Sequence, residues 1–330
     1  MEYIKPLNDD AYPERLGAYV NANPSLGIPG STVPGEALQH TMTEIINAIT
    51  AAGLTPDDAD LTQLLQAIKK IPSDASNYLY DGQDLTTKFA DEITTYSDDP
   101  WAWIKARITA VNYSGLNIGD YIPFSMGGND IKAQIAGIDT YYRANDVETG
   151  HHIDFISKDC YPTPVPWNTT NINNGSSVNA APWMVCNLKN VINTTWYNSL
   201  PAPLKAQIIE KRAYIETRYT SGSTLTDSTG AAFNDIGKLW VPSEGEVYGA
   251  VHWGTRGDSS MQNAPYPIFE ASWKNRIKGI GDGGERCTWW LLSVYGGNSA
   301  SVCHVSGSGL ASSSGASNAT TCAPVCFRIG

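Results

Sequence analysis

The last part of the chain contains almost no charged residues. From Ser293 to Phe327, 35 residues contain no Asp, Glu, Lys or Arg, although average usage would place roughly nine charged residues there. Gln, Met, Trp and Ile are missing from the segment as well. Ser, Gly, Ala, Asn and Thr fill it instead, with Val302, Val305 and Leu310 spaced between them. It resembles neither a charged solvated face nor an ordinary hydrophobic core.

Several other features are missing from the whole chain. No basic patch is visible in a sequence of net charge −11, which argues against a nucleic-acid partner. No stretch approaches the ~20 apolar residues of a membrane span, so we expect no membrane insertion. The first residues lack the basic and apolar regions of a signal peptide, which predicts synthesis in the cytoplasm. The six cysteines form no Cys-x-x-Cys pair, so a zinc site is not expected, and their spacing leaves disulfide pairing open.

Candidate catalytic and metal-binding residues are few. His151, His152 and Asp154 lie close together, but neighbouring residues on a strand point to opposite faces and cannot readily share one ion. An acidic residue in the first turn of a helix interacts favourably with the helix dipole, so its presence there needs no catalytic explanation. No Gly-x-Ser-x-Gly elbow and no phosphate loop occurs. Two acidic clusters offer the carboxylates that a glycosidase or a Ca²⁺ site needs, namely Asp227 with Asp235 and Glu244 with Glu246. We weigh these as structural and expect no catalytic residue, no metal and no cofactor.

Residues 1–72 predict a small helical region after a Pro/Gly-punctuated extended segment. A second helix is predicted from Thr55 and Pro56 to Lys69 and Lys70, before Pro72. Two such short helices bury little alone, so we expect them to pack against copies of themselves or a partner. Packing on the chain's own C-terminal neighbour is the alternative. The first helix carries an apolar stripe, with Gly53 as its stop: Leu38, Met42, Ile45, Ile46 and Ile49.

Residues 73–115 suggest a connector, and residues 116–330 an α+β domain with few regular elements and long ordered loops. Short apolar runs bounded by Gly and Asp predict strands near residues 121, 132 and 153. Residues 187–216 predict two helices. Ser243 and Glu246 have the spacing of a capping box at a helix start. Trp289 and Trp290 are expected in the core.

Two parts of the chain resemble known families. Roughly residues 20–71, with the motif E-I-x-N-x-I-x-A-A-G followed by D-L-T-Q-L-L-Q-A-I, resemble the N-terminal segment of phage tail-fibre and tail-tip proteins. Roughly residues 116–330 resemble a C-type-lectin-like domain of the formylglycine-generating-enzyme type, as used in variable proteins of diversity-generating retroelements. The blocks that carry this second resemblance are GDYIPF, KAQIAGID, ISKDC, LWVPSEGEVYG, TWWLLS and APVCFRIG. Leu292 and Val294 replace the Arg and Pro of the family's W-W-L-R-S-P motif.

The second resemblance implies a reason for the uncharged segment. Such retroelements mutate adenines, so Asn codons ending in C or T become codons that cannot encode Lys, Glu, Gln, Met or Trp. The segment from Ser293 to Phe327 contains none of these five residue types, although a bland Ser/Gly-rich loop would also lack them. Tyr gives contact area and Ser, Gly and Asn give adaptable hydrogen bonding, as in antibody paratopes. We therefore predict a variable segment at about 292–322 with these ligand-binding residues: Tyr295, Asn298, Ser299, Ser301, His304, Ser306, Ser308, Ser312, Ser313, Ser314, Ser317, Asn318 and Thr320.

The scaffold of this segment is predicted to rest on Val302, Val305, Leu310, Val325, Phe327 and Ile329, with VSGSGL as a tight hairpin turn.

Together these features predict a phage tail receptor-binding protein rather than an enzyme. Residues 1–72 would attach it to other tail proteins in the virion as a homotrimer, and the C-terminal domain would bind a host cell-surface receptor, protein or glycan. One alternative is a tail-associated enzyme, either a depolymerase or an oxidase of the formylglycine-generating type that uses Cys322 and Cys326. The other is a structural tail protein whose domain only decorates the particle.

Overall fold

The structure of the chain is a computed structural model that describes residues 6–7, 18–68, 82–142, 146–147, 149–173, 181–215, 232–254 and 264–330. It contains two compact units, residues 1–76 and 77–330. Within the described residues, no helix combines the length and the apolar character that crossing a membrane requires.

The first unit contains the two predicted helices. Helix α1 (Gly35–Ala51) ends at the predicted stop, where Gly53 adopts a positive φ of 67° and its N–H bonds the Thr50 carbonyl. Helix α2 covers residues 63–68, and therefore begins later than predicted. The polar groups before it form turns instead, because Asp60 accepts the Thr62 N–H at 2.8 Å. The predicted end of this helix, Lys69, Lys70 and Pro72, lies outside the described residues.

The second unit begins with three helices, α3 (Leu85–Lys88), α4 (Ala90–Thr94) and α5 (Pro100–Thr109). Asp99 caps α5 by accepting the Trp101 N–H at 2.9 Å, and Pro100 occupies the first turn. Trp101, Trp103 and Ile104 are buried in the main core. The prediction of a connector over 73–115 is therefore wrong for this stretch, since these helices contribute large apolar side chains to the domain.

The main sheet is antiparallel and takes its last strand from the C-terminal end of the chain. Its strands are β1 (Tyr121–Met126), β2 (Asn129–Ile138), β3 (Ile153–Cys160), β4 (Ile208–Ile209), β7 (Leu239–Trp240) and β13 (Pro324–Ile329). Their order in the sheet is β1-β2-β3-β13-β4, and β7 also pairs with β13. All of β13 is buried, and Arg328 donates to both oxygens of Asp154 on β3 at 2.7 and 2.8 Å. The strands predicted near residues 121, 132 and 153 are confirmed as β1, β2 and β3.

The middle of the chain is helical up to Gln207. The second of the predicted helices stops there, and the chain continues as β4 and then β5 (Lys211–Ile215), which pairs with β6 (Ala232–Gly237). The helix prediction is wrong beyond Gln207 because Ile208 pairs with Ile329 in the main sheet. This tertiary contact overrides the local pattern. The helical elements are α6 (Pro182–Val185), α7 (Asn187–Val191), a π-helical turn (Ile192–Trp196), α8 (Tyr197–Ser199) and α9 (Ala202–Gln207).

The last part of the unit contains short elements and a second sheet. Helix α10 (Glu244–Tyr248) starts with the predicted capping box, in which both reciprocal hydrogen bonds are formed. Helix α11 (Pro267–Ala271) and a 3₁₀ turn (Trp273–Arg276) precede the strand pair β8 (Lys278–Gly279) and β9 (Arg286–Cys287). The second sheet has the order β10-β11-β12, formed by β10 (Trp289–Val294), β11 (Ser301–Val305) and β12 (Ala311–Gly315). The architecture is α+β.

Candidate ligand-binding surface

The uncharged segment forms the second sheet and its connections. Strand β10 is buried along its whole length, and Trp289 and Trp290 are fully covered, as predicted. Strand β11 lies between β10 and β12, so that Val302 faces Val294 on one side and Ser314 on the other. The segment then continues to Cys322, whose main chain forms an isolated parallel β-bridge with Trp289, and enters the buried strand β13. A buried strand therefore fixes each end of the segment.

The loop between β10 and β11 is held by a residue outside the segment. Asn173 is fully buried, and its main-chain N–H donates to the Ser299 carbonyl at 2.7 Å. Its side-chain amide donates to the carbonyls of Asn298 and Ser301 at 2.9 and 2.8 Å. These hydrogen bonds all end on main-chain oxygens, so Asn173 fixes the path of the loop independently of its side chains.

The contacts of Asn173 form one clamp on this region. Glu244, at the start of α10, forms a second, the Glu244 clamp. This carboxylate is fully buried and accepts the N–H groups of His252, Trp253 and Gly254 at 2.8–3.1 Å. Its own N–H donates to the Ser293 side chain at 3.0 Å, which ties α10 to β10. The interpretation of Glu244 as a structural acid therefore fits its contacts.

The Glu244 clamp positions an exposed tryptophan beside the predicted surface. Trp253 is 41% exposed, and its ring centre lies 5.8 Å from that of Tyr295. Its indole N–H donates to the Ala311 carbonyl at 3.2 Å, and its own carbonyl accepts the Gly296 N–H at 2.8 Å. Sequence reasoning missed Trp253. The acidic first turn of α10 was visible, but nothing in the sequence showed which loop it would hold.

Most of the predicted ligand-binding residues lie at the surface. The half-buried ones include all three serines of β12, Ser312, Ser313 and Ser314, which lie on a strand at the end of the sheet order. Tyr295, Ser301, Ser306 and Asn318 are also half-buried. Five are exposed: Asn298, Ser299, Ser308, Ser317 and Thr320.

Some of these polar side chains shape turns. Asn298 accepts the Ala300 N–H and Asn318 accepts the Thr320 N–H, both at 2.9 Å. The side chain of Ser306 accepts the Leu310 N–H at 3.1 Å inside the turn between β11 and β12. The predicted hairpin turn is confirmed. Asn298, Ser306 and Asn318 therefore use part of their hydrogen-bonding capacity inside the segment.

Two predictions in the segment are wrong. His304 is only 8% exposed and packs edge-on against Trp290, with its Nδ1 3.3 Å from the Ser314 hydroxyl. Burial lowers the pKa of His304 to about 4, so the ring is neutral at pH 7 and contributes to the interior rather than to a ligand contact. Leu310, predicted as an anchor, is 67% exposed at the tip of the turn. The anchors Val302, Val305, Val325, Phe327 and Ile329 are buried as predicted.

The acidic residues considered as catalysts or metal ligands take part in other contacts. Glu246 forms an ion pair with buried Lys211, whose ammonium also donates to the Tyr266 hydroxyl at 2.8 Å. Burial opposes ionisation of Asp154, but the Arg328 guanidinium outweighs it and lowers the pKa of Asp154 to about 2. Asp235 pairs with Arg212 at 3.2 Å. Asp227 lies outside the described residues.

The histidine and cysteine candidates are also accounted for. His151 pairs with Asp139 at 2.7 Å, whereas His152 is buried with both ring nitrogens 2.9 Å from main-chain carbonyl oxygens. All six cysteines are buried and free. A hydrogen bond with Cys287 raises the pKa of Cys322, and burial raises that of Cys326, so both stay thiols at neutral pH. Among the described residues, no group of three His, Cys, Asp or Glu side chains is arranged to hold a metal ion.

Comparison with known proteins places the second unit in a family. The family model for a domain of unknown function (DUF6273) matches residues 155–330. The chain belongs to the DUF6273 family. The matched region starts in β3 and includes Asn173, α10, the second sheet and β13, so the DUF6273 region contains the candidate surface and both clamps. No curated protein and no solved structure matches the chain.

Proposed function

We propose that this protein is a receptor-binding protein of a phage tail, and that its second unit is a C-type-lectin-like domain presenting residues 292–322 to the host cell. In this proposal the segment is a diversified binding surface, the protein acts by binding rather than by catalysis, and the virion is its place of action. The resemblance of both parts of the sequence to tail-fibre and variable proteins supports the proposal.

The observation that carries the proposal is that the domain binds the segment through hydrogen bonds to its main chain. Hydrogen bonds from Asn173 and Trp253 to residues 298–311 end on main-chain carbonyls. The Tyr248 hydroxyl likewise donates to the Gly309 carbonyl at 3.3 Å. A segment held by its main chain keeps its path when its side chains change. That is what a surface of variable specificity requires.

The chemistry of the surface fits recognition of a partner. Trp253 and Tyr295 supply exposed aromatic area, and the serines around them supply hydroxyl donors and acceptors without charge. Paratopes use this same combination. Two of the acids considered for hydrolysis are engaged in ion pairs, Glu246 with Lys211 and Asp235 with Arg212, which supports binding over catalysis.

The first unit suits attachment and oligomer formation. On α1 only Ile49 of the apolar stripe is buried, while Met42 is 60% exposed and Ile46 is exposed as well. A surface of this kind is typical of protein–protein contact sites. We propose that it joins copies of the chain into a trimer or seats the chain on other tail proteins. The mass of the protein in solution tests the trimer, which would weigh three times the 35.7-kDa chain. Ile46→Asp should lower that mass.

The proposed diversification of residues 292–322 is tested first by sequencing a propagated phage population. Deep sequencing of the gene in a propagated population, with the adjacent DNA, should show substitutions clustered in codons 292–322 and a nearby copy of that DNA differing at adenines. An invariant segment without such a copy would remove diversification and leave an adhesin of fixed specificity or a decoration protein.

Binding itself is tested with purified protein on host cells. Fluorescently labelled protein should bind the cells, compete with the phage for adsorption and lose binding when Trp253→Ala or Tyr295→Ala removes an exposed ring. Tyr96→Ala removes an exposed ring to which no binding role is assigned and is the matched comparison. Failure of the wild-type protein to bind cells or to block adsorption would contradict the receptor-binding role.

A further inference from the structure

A second candidate site lies in a cleft formed by other elements. It has a volume of about 510 Å³ and opens between the end of β3, the 3₁₀ turn, β8 and β9. This volume lies in the range of small-molecule sites. Four cationic side chains and one acidic side chain are part of its wall, although the whole chain carries a net charge of −11. They are Lys158, Asp159, Lys274, Lys278 and Arg286.

Lys278 is a buried cation without a carboxylate partner in the described part of the chain. Only 2% of it is exposed, and its ammonium donates to the carbonyls of Ser157 and Lys158 at 2.5 and 3.0 Å. An ammonium has three donors, so one has no hydrogen-bond partner among the described residues, and the Trp289 ring centre lies 5.9 Å from the nitrogen. Burial lowers the pKa of Lys278, because removal from water disfavours the charged form. An anion in the cleft would stabilise this charge.

The other charges of the cleft favour the same ligand. Arg286 is exposed, and its guanidinium has no hydrogen bond or ion pair among the described residues. Asp159 does not offset the cations fully, because it is one carboxylate beside four cationic side chains. Its oxygens accept the N–H groups of Gly279 at 2.6 Å and Gly283 at 3.3 Å. A planar guanidinium binds carboxylate and phosphate groups with two parallel hydrogen bonds.

An aromatic ring completes the wall. Trp273 is 57% exposed and lines the cleft together with Asn275 and Ser308. An exposed indole offers a flat apolar face that suits the C–H face of a sugar ring. The combination of a flat apolar platform with cations at its side selects a ligand that is both ring-shaped and anionic.

We propose that this cleft binds a saccharide unit that carries a carboxylate or a phosphate, with the ring on Trp273 and the anionic group at Arg286 and the lysines. This goes beyond the proposed function, because it assigns a second site that shares only Ser308 with residues 292–322 and names its ligand class. Ser308 belongs to both the cleft and the predicted surface. A single-stranded nucleic acid is less well matched, because such ligands need a basic track along the backbone and several stacking rings.

The test measures binding by isothermal titration calorimetry with the full chain. The probes are a galacturonic acid disaccharide, galactose 6-phosphate, a neutral galactose disaccharide and an eight-residue oligothymidylate. Trp273→Ala and Arg286→Gln alter the cleft. Tyr96→Ala and Lys238→Gln are the matched controls, since each changes an exposed aromatic or cationic residue to which no binding role is assigned. Thermal unfolding confirms that all four variants fold.

We expect at least one acidic sugar to bind about tenfold more tightly than the neutral disaccharide, with lower affinity at high salt. Arg286→Gln should weaken that binding about tenfold, since a charge-assisted hydrogen bond contributes roughly this much. Trp273→Ala should weaken it to a similar degree, because the sugar ring loses its aromatic contact. The controls should change it less than about twofold. The two acidic probes distinguish carboxylate from phosphate.

Several outcomes would overturn the proposal. They are equal binding of the neutral disaccharide, no binding of either acidic sugar, preference for the oligothymidylate, or the same loss from Lys238→Gln as from Arg286→Gln. Cell binding that survives Arg286→Gln but not Trp253→Ala would support the receptor surface independently of the cleft, so the two proposals fail separately.

Discussion

The proposed surface predicts that stability depends on which residues of the segment are changed. Ser299 and Ser317 are exposed, so replacing either by Tyr should change the free energy of unfolding by less than about 0.5 kcal/mol. Val302 is fully buried in the middle of the second sheet. Val302→Ser should remove about 1.5–3 kcal/mol of burial and leave a buried hydroxyl that costs about another 1 kcal/mol. The expected loss is therefore about 3 kcal/mol.

Urea unfolding followed by tryptophan fluorescence measures this difference in the second unit alone. All ten tryptophans lie between residues 101 and 290, and thus within residues 77–330. Ser299→Tyr and Ser317→Tyr should keep the wild-type midpoint and slope, whereas Val302→Ser should lower the midpoint. A loss above about 1 kcal/mol in both tyrosine variants, or below about 0.5 kcal/mol in Val302→Ser, would refute the division into a variable face and fixed anchors.

Three further predictions concern the scaffold. Arg328→Met should cost about 3–5 kcal/mol, because it leaves the buried Asp154 carboxylate without its partner. Adding Asp154→Asn should restore part of the loss in the same urea assay, and a cost below about 1 kcal/mol would contradict the role of this pair. The folded-state pKa of His304 is about 4, below the ordinary 6.5, so its contribution is complete above pH 6.5 and is lost as the pH falls towards 4. Stability should drop by about 2 kcal/mol between pH 7.5 and 5, and His304→Gln should lack this part of the drop; an identical pH dependence in the variant would show the assignment to be wrong. Glu244→Gln should weaken the hydrogen bonds to residues 252–254 by about 1–3 kcal/mol in total and speed their amide exchange, measured by mass spectrometry. Unchanged exchange there would rule out the clamp.

Local signals in the sequence predicted local structure well. The capping box of Ser243 and Glu246, the stop of α1 at Gly53 and the hairpin turn at Ser306 each depend on residues a few positions apart. Burial of Trp289 and Trp290 followed from their type. These features could be predicted because the residues that determine them lie within one turn of helix or one pair of strands.

The errors arose where distant residues decide the structure. Ile208 and Ile209 continued a helical pattern but pair with β13, more than a hundred residues away in the sequence. Trp101 belongs to the stretch predicted as a connector, but its aromatic partners Phe155 and Phe327 come from the main sheet. The cationic cleft could not be predicted either, since Lys158 and Arg286 meet only in the folded chain.

The position of the uncharged segment between two buried strands explains why it can be so poor in conventional core residues. Strand β13 gives the main sheet a central member, and the Arg328–Asp154 pair fixes its register against β3. Asn173 and the Glu244 clamp, with Trp253, hold the main chain of the preceding loops. The information that defines the surface's shape thus lies mostly outside the residues that form it. Under the proposed function, exposed side chains between these fixed points, such as Ser299 and Ser317, can vary and be selected for what they contact.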